Sequence, residues 1–269
     1  MQATSPAPPP RRTTRATGMR TGALILSWTR RDFDARYRRS ALAALWAVIQ
    51  PFAVVAVYAF IFGVIFDQSG GDIPYLSYLL GGMIVFRIVS NCLSQNTCFT
   101  DNYDVIAHSA FPRYVIPLSL SLGVALELVV TVPSLVVVGA LQGITPTYTL
   151  LAVPFILAGV LALAAGACIV VSTVQVFVRD LQFVVSFGVT ALFFASPISY
   201  QPEQLPEGLQ WLNSANPISV YIQALRDTVL LGHWPSWPIL LLQMACSVAL
   251  LGLAIAHLQS VGHRIVDLG

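Results

Sequence analysis
Residues 114–178 read YVIPLSL SLGVALELVV TVPSLVVVGA LQGITPTYTL LAVPFILAGV LALAAGACIV VSTVQVFV and carry one charge, Glu127. As one helix this stretch would run about 98 Å at about 1.5 Å per residue, far beyond a roughly 30 Å hydrocarbon core. It therefore has to fold back. The turn signal is Gln142-Gly143-Ile144-Thr145-Pro146-Thr147, which splits the stretch into spans at 115–141 and 150–176.

The flanks extend the pattern. Residues 41–66, 181–202 and 228–263 carry no charge, and 73–100 carry only Arg87. About 20 apolar residues cross a bilayer. The runs 41–66, 73–100 and 181–202 each fit one span. The last span starts after Trp234-Pro235-Ser236-Trp237-Pro238 and runs to about residue 259. The sequence thus predicts an all-α polytopic membrane protein with six transmembrane helices. Of the 269 residues, 56% are hydrophobic and 10% charged. A soluble domain carries about 25% charged residues, so a single water-soluble domain is excluded.

All fourteen basic residues are Arg. Without Lys the chain has no P-loop lysine, Schiff-base lysine or lysine general base. If ATP is needed, ATP and Mg must sit on another chain, and no cofactor is expected in this one. Cys92, Cys98, Cys168 and Cys246 show no CxxC spacing and lie in apolar stretches, so buried packing thiols are expected. The four His form no metal-ligand cluster, and neither a metal nor a nucleic-acid partner is expected.

Arg placement sets the orientation. Residues 1–40 hold nine Arg, and Arg113, Arg179 and Arg264 fall on the same side of a six-span chain. Arg226 alone falls opposite, beside Asp67, Asp72, Glu203, Glu207 and Asp227. Both termini are therefore expected in the cytoplasm. Residues 1–22 read as a disordered cytoplasmic tail, rich in Pro, Arg and Thr. Arg11-Arg12 and Arg30-Arg31 look like twin-arginine pairs. The first has no apolar run behind it and the second no cleavage site, so both read as positive-inside charge.

Residues 23–40 fit an amphipathic helix on the inner leaflet, with Trp28, Arg31, Asp32, Arg36 and Tyr37 as its interfacial residues. Asp32 and Asp34 form a DxD pair. On a helix these carboxylates point about 200° apart and cannot chelate one ion. Residues 41–269 make up the six-span domain.

Residues 197–227 are too apolar for a free loop and too polar for a lipid-facing span. Short helices at 203–213 and 217–231, dipping into the outer leaflet, would form a lid. Pro197, Tyr200, Trp211, Asn216, Pro217, Tyr221 and Arg226 are its candidate residues, with Trp211 and Tyr221 as interface anchors. Arg87 and Glu127 lie deep in consecutive antiparallel spans, where unpaired charge costs several kcal/mol. They are expected to pair or to face a wet pathway. Tyr58, Phe62 and Phe66, and likewise Phe183, Phe187 and Phe194, form aromatic stripes that face lipid or give sugar rings a stacking surface.

Taken in order, a set of motifs carries a resemblance. They are Arg31-Asp32-Phe33-Asp34-Ala35-Arg36-Tyr37, Ser40-Ala41-Leu42, Leu45-Trp46, Gln50-Pro51, Phe111-Pro112-Arg113 and Ile116-Pro117-Leu118. The set continues with Phe177-Val178-Arg179-Asp180-Leu181, Ser196-Pro197-Ile198-Ser199-Tyr200, Asn216-Pro217-Ile218 and Ala224-Leu225-Arg226-Asp227. The chain after residue 22 resembles the ABC-2 type permeases that export polysaccharides such as O-antigen, teichoic acid and galactan. Ala43, where many relatives have Gly, and Arg87, in a stretch usually aromatic or apolar, depart from the pattern.

The resemblance implies a homodimer of six-span subunits in a bacterial plasma (inner) membrane, an ABC ATPase subunit as partner, and an interface helix. It also implies a coupling segment in the first cytoplasmic loop and gate helices before the last span. The coupling residues would be Asp101, Asn102 and Asp104, with Arg179 and Asp180 as a lesser contact. The substrate would be a lipid-linked glycan, and this chain would perform no covalent chemistry. Competing readings are an exporter of small lipids or drugs and a membrane glycosyltransferase. The enzyme would need convergent carboxylates or His on one membrane face. The loops offer only scattered charges.

Overall fold
The computed structural model describes residues 21–31, 43–65, 71–108 and 112–267. The elements are helical: α1 (21–31), α2 (Ala43–Tyr58), α3 (Tyr75–Leu93), α4 (Cys98–Asp101) and α5 (Tyr103–His108). They continue with α6 (Val115–Leu141), α7 (Val153–Phe177), α8 (Leu181–Ala195), α9 (Trp211–Ala215), α10 (Pro217–Arg226) and α11 (Trp237–Asp267). A π-helical stretch, Ala59–Ile65, prolongs α2, and a 3-10 turn, Tyr148–Ala152, leads into α7.

Among the described residues, four helices are long and apolar enough to cross a membrane: Tyr75–Leu93, Val115–Leu141, Tyr148–Phe177 and Trp237–Val261. Two apolar helices, Phe52–Ile65 and Leu181–Ala195, are shorter. The turn in residues 114–178 closes where the sequence places it. Ile144 N–H donates to Gly139 O at 2.9 Å and Gly143 N–H to Ala140 O at 3.1 Å, with Gly143 at φ 90°. That is a Schellman cap, which needs a left-handed residue after the helix and so favours glycine. The fifth apolar run behaves differently. The helix stops at Ala195 instead of continuing to residue 202. Pro197 disfavours helical backbone in Ser196, which is extended at φ −100°, ψ 143°.

The core is centred on α3, buried on nearly all sides by α6, α7 and α10. Helices α7 and α11 pack along much of their length. Gly166 allows this approach: a Cβ there would lie 3.0 Å from the Leu251 backbone nitrogen. The outward faces of α6 and α11 present large apolar side chains, Val129 and Leu253 among them, which suits lipid and not water. Cys92, Cys98 and Cys168 are buried as expected, whereas Cys246 is exposed on α11.

Connectivity sorts the loops to two ends. One end gathers α1, α4, α5 and the α7–α8 turn. There Cys98, Phe99 and Ile106 pack with Ile116, Ile169 and Leu258, and Thr29 Oγ1 donates to Ser119 O at 3.0 Å, tying α1 to α6. The other end gathers the 142–147 turn, the segment before α3 and residues 196–236.

Candidate functional site
Helices α2, α3 and α8 enclose a groove of about 330 Å³. Tyr58, Arg87 and Phe194, three of the residues expected on a pathway, line it together with Phe86, Asn91 and Phe193. Phe193 is the hub. Its ring lies 5.1 Å from Tyr58, 5.3 Å from Phe86 and 5.2 Å from Phe194. Phe62 stacks on Tyr58 at 6.0 Å. Such separations are those of stabilising aromatic pairs.

A second groove of about 260 Å³ adjoins the first at Val189, on the side of the α4 end. Gln182, Ser186 and Thr190 lie one turn apart on α8 and line these grooves. Arg87 and Asn91 on α3, with Ser94 just past its end, do the same. Two polar rows thus face each other between otherwise apolar helices. The α8 hydroxyls bond back along the helix, Ser186 to Gln182 O at 2.9 Å and Thr190 to Ser186 O at 3.2 Å. Their lone pairs remain open to the groove. At the mouth on the α4 side, Asn96 is buried and its Oδ1 has no partner among the described residues.

Arg87 faces both the groove and α6. Its Nη2 is 3.9 Å from Glu127 Oε2, and Asn91 Nδ2 donates to the same oxygen at 3.2 Å. The two charged side chains are 22% and 25% exposed, so the pair is looser and wetter than a fully buried one. The second aromatic stripe divides. Phe194 lines the upper groove and Phe183 the lower, while Phe187 lines neither and is exposed. Phe66 lies outside the described residues.

Above the grooves, Ser196–Tyr200 crosses as a strap with little backbone bonding of its own, and side chains from elsewhere take its carbonyls. Arg226 Nη1 donates to Pro197 O at 2.8 Å and Nη2 to Ile198 O at 3.0 Å. Tyr75 Oη donates to Ser199 O at 2.9 Å, and Tyr78 Oη to Tyr200 O at 2.7 Å. The Arg226 Nε donates to Tyr78 O at 3.1 Å, and its guanidinium carbon lies 3.4 Å from the Tyr78 ring centroid. Arg226 is only 2% exposed. Carbonyl dipoles and an aromatic face hold this cation in place of a bonded carboxylate. Gly82 makes room for it: a Cβ there would lie 2.8 Å from Arg226 Nη2 and 3.1 Å from Ile198 Cα.

Asn216 anchors the strap's first residue. Its Oδ1 caps α10 by accepting from Ile218 N–H at 3.0 Å, and its Nδ2 donates to Ser196 Oγ at 2.8 Å. Pro217 follows as the first helical residue, where its missing N–H costs nothing.

Arg226, one of the candidate lid residues, is buried beneath the strap. One expectation for this segment needs correction. Tyr221 is not an interface anchor: it is fully buried, bonds Ser247 Oγ at 2.8 Å and fills the space left by Gly159. Trp211 is exposed. Sequence reasoning missed Tyr75, Tyr78, Gly82 and Phe193. The Gly81-Gly82 pair in mid-span and the i, i+3 tyrosines were the available signals.

At the opposite end Asp101 accepts from Thr97 Oγ1 at 2.8 Å and Asn102 Nδ2 donates to Cys98 O at 2.9 Å. Asp101, Asp104, Arg179 and Asp180 are exposed. Arg31 sits over the Trp28 ring at 4.9 Å. Asp32, Arg36 and Tyr37 lie outside the described residues.

Residues 23–230 match the model of the family described as ABC-2 type transporter. An O-antigen export system permease protein RfbA from Klebsiella pneumoniae is 32% identical over 212 residues, covering 78% of this chain and 81% of that one. A second such protein from Klebsiella pneumoniae is 29% identical over 212 residues, with the same coverage. One from Myxococcus xanthus is 28% identical over 178 residues, 66% of this chain and 68% of that one.

Proposed function
This chain belongs to the ABC-2 type transporter family, and from that premise we propose that it is the permease of an exporter for lipid-linked polysaccharide at a bacterial plasma membrane. As a member it is a multi-pass membrane protein and a transport subunit without a catalytic domain. Membership implies an ATPase subunit, in keeping with a chain that has no Lys.

The observation that carries the glycan reading is the pair of polar rows on α3 and α8, rising to the aromatic hub beneath the strap. Sugar hydroxyls lose water on entering a membrane and need donors and acceptors in its place. The rows offer two amides, hydroxyls and a guanidinium at one-turn spacing. Aromatic faces add weak, non-specific stacking, roughly 0.5–1.5 kcal/mol per ring by analogy with aromatic pairs. A chain can slide along such a surface because no single site holds it. The relatives' names, O-antigen export permeases, favour a glycan over a small lipid or drug.

The finer assignments are as follows. Both termini lie in the cytoplasm, and the α4–α5 region with Arg179 and Asp180 receives the ATPase. The strap and α9–α10 form the outer gate. Among the described residues of α8 only Phe193 is buried, so a second copy of the chain would complete the open side of the groove.

Reconstitution tests the proposal. The chain with its ATPase partner should move a lipid-linked glycan across a vesicle membrane when ATP is supplied, and the chain alone should hydrolyse no ATP. Hydrolysis by the isolated chain, or ATP-driven movement of phospholipid but not glycan, would contradict it.

A further inference from the structure
We propose that Arg87 takes an oxyanion, carboxylate or phosphate, carried by the exported molecule, and that Glu127 is the built-in counter-ion which the passing anion displaces; this deepens the glycan-export reading above and rests on it. Arg87 lies about 18 Å from the start of α3 at about 1.5 Å per residue, deep in a span. Its guanidinium carries five N–H donors. Among the described residues it makes no hydrogen bond. Its ionic partner, Glu127, is 3.9 Å away, beyond hydrogen-bond reach. Arg226 is the contrast, 2% exposed and donating to three carbonyls. An arginine kept in a membrane only to pack would be served as Arg226 is. The Arg87 side chain is instead 22% exposed and lines the groove.

Charge sets the ligand class. Among the described residues that line the two grooves, Arg87 alone is charged. The carboxylates that lining residues touch stand outside that lining. Glu127 is on α6, and its Oε2 also accepts from Asn91 Nδ2 at 3.2 Å. Asp101 accepts from Thr97 at the mouth on the α4 side. A carboxylate or phosphate in the groove therefore meets a fork of unspent donors whose planar geometry matches it.

The loose pair makes the site exchangeable. Arg87 and Glu127 are neutral together, and a pair this open is a weak competitor for an incoming anion. When Arg87 turns to that anion, Asn91 still serves Glu127, so the exchange strands neither charge. Release follows the same route, because Glu127 stays within reach to reclaim the guanidinium. An unopposed arginine at this depth would grip an anion and stall the chain. The pair lets a charged group pass and still be read.

Two assays on the permease with its ATPase partner test this, one of binding and one of export. In nanodiscs, saturation-transfer NMR compares methyl glucuronoside and methyl phosphate with methyl glucoside as the neutral control. At least one anion should give saturable transfer, about tenfold tighter than the control, through charge-assisted bonds. Glu127→Gln should tighten that anion about fivefold by removing the competitor. Arg87→Met with Glu127→Gln, which strands no charge and so keeps the fold, should abolish the preference, and Arg87→Lys with Glu127→Gln should restore part of it. Neither anion preferred over the control in Glu127→Gln, or a preference unchanged without Arg87, would overturn the site. In proteoliposomes with ATP, two glycans on one phosphate-linked carrier lipid, with a neutral repeat and a uronate repeat, separate the sources of the anion. Slower movement of the uronate glycan alone in the Arg87→Met, Glu127→Gln variant puts the anion in the repeat. Equal slowing of both puts it at the carrier phosphate, and unchanged movement of both overturns the proposal. A wild type that moves neither glycan fells the permease reading, and the probes then show on their own whether Arg87 binds an oxyanion.

Discussion

Replacing Arg226 with Met removes the clamp while keeping most of the buried volume. The guanidinium makes three hydrogen bonds to carbonyls, at 2.8, 3.0 and 3.1 Å, and two of those carbonyls belong to the strap. At a net value of about 1 kcal/mol each, the two strap bonds contribute about 2 kcal/mol to the clamped state, which corresponds to a change of about 30-fold in a two-state gate equilibrium. The substitution also removes a buried cation whose desolvation costs several kcal/mol. That offset lets the fold survive although the carbonyls lose their donor. The expected outcome is a folded protein whose resting gate leaks. The assay is ATP-independent influx of a membrane-impermeant sugar into proteoliposomes, with the thermal midpoint measured on the same preparation. Arg226→Lys should leak to an intermediate degree, because an ammonium is a point charge and cannot fork across three carbonyls. A Met variant as tight as wild type, with an unchanged midpoint, would refute the reasoning. So would unfolding of both variants, since Arg226 would then be an element of folding and not of gating.

Three further outcomes follow from the same geometry. Gly82→Ala should act like loss of the clamp, because its Cβ would press on Arg226 Nη2 at 2.8 Å and Ile198 Cα at 3.1 Å; sugar influx should rise, and a tight gate would show that the strap yields without opening. A double-mutant cycle with Arg87→Met and Glu127→Gln should return a coupling of about 0.5–1 kcal/mol in thermal or denaturant unfolding, because the pair is 3.9 Å apart and about a quarter exposed; a coupling above about 3 kcal/mol would mean a dry pair. Charge reversal at Asp101 or Asp104, both exposed in the α4–α5 region, should lower partner-stimulated ATP hydrolysis or complex assembly, and wild-type values for both would move the coupling site elsewhere.

The parts of this protein that follow from burial alone were the readable ones. The 142–147 turn announced itself because Gly143 and Pro146 interrupt a run too long to cross once, and the helices on either side end there. The end of α8 was concealed. Counting charges carries a span through Ser196-Pro197, whereas the backbone preference of a residue before proline ends it. The clamp was hidden for a different reason. Arg226 was legible as a lid residue but not as a buried one. Its partners are backbone carbonyls, which carry no side-chain signature in any sequence. Tyr221 reads as an interfacial aromatic until Gly159, 62 positions earlier in the chain, is found to leave the space it fills. The groove was half visible: the aromatic stripes were evident, but the polar row Gln182, Ser186 and Thr190 gains meaning only when α3 presents a matching row across from it.

The central claim is that the space between α3 and α8 is the path. Single cysteines at Ser186, Thr190 and Phe187, in a chain whose exposed Cys246 is replaced by Ala, test it directly. Ser186 and Thr190 line the grooves and Phe187 lines neither. With the ATPase partner turning over and glycan present, a polar thiol reagent should modify Ser186→Cys and Thr190→Cys, while Phe187→Cys reacts only with a lipid-soluble reagent. If all three positions behave alike in every state, α8 faces the bilayer on this side and the path lies elsewhere.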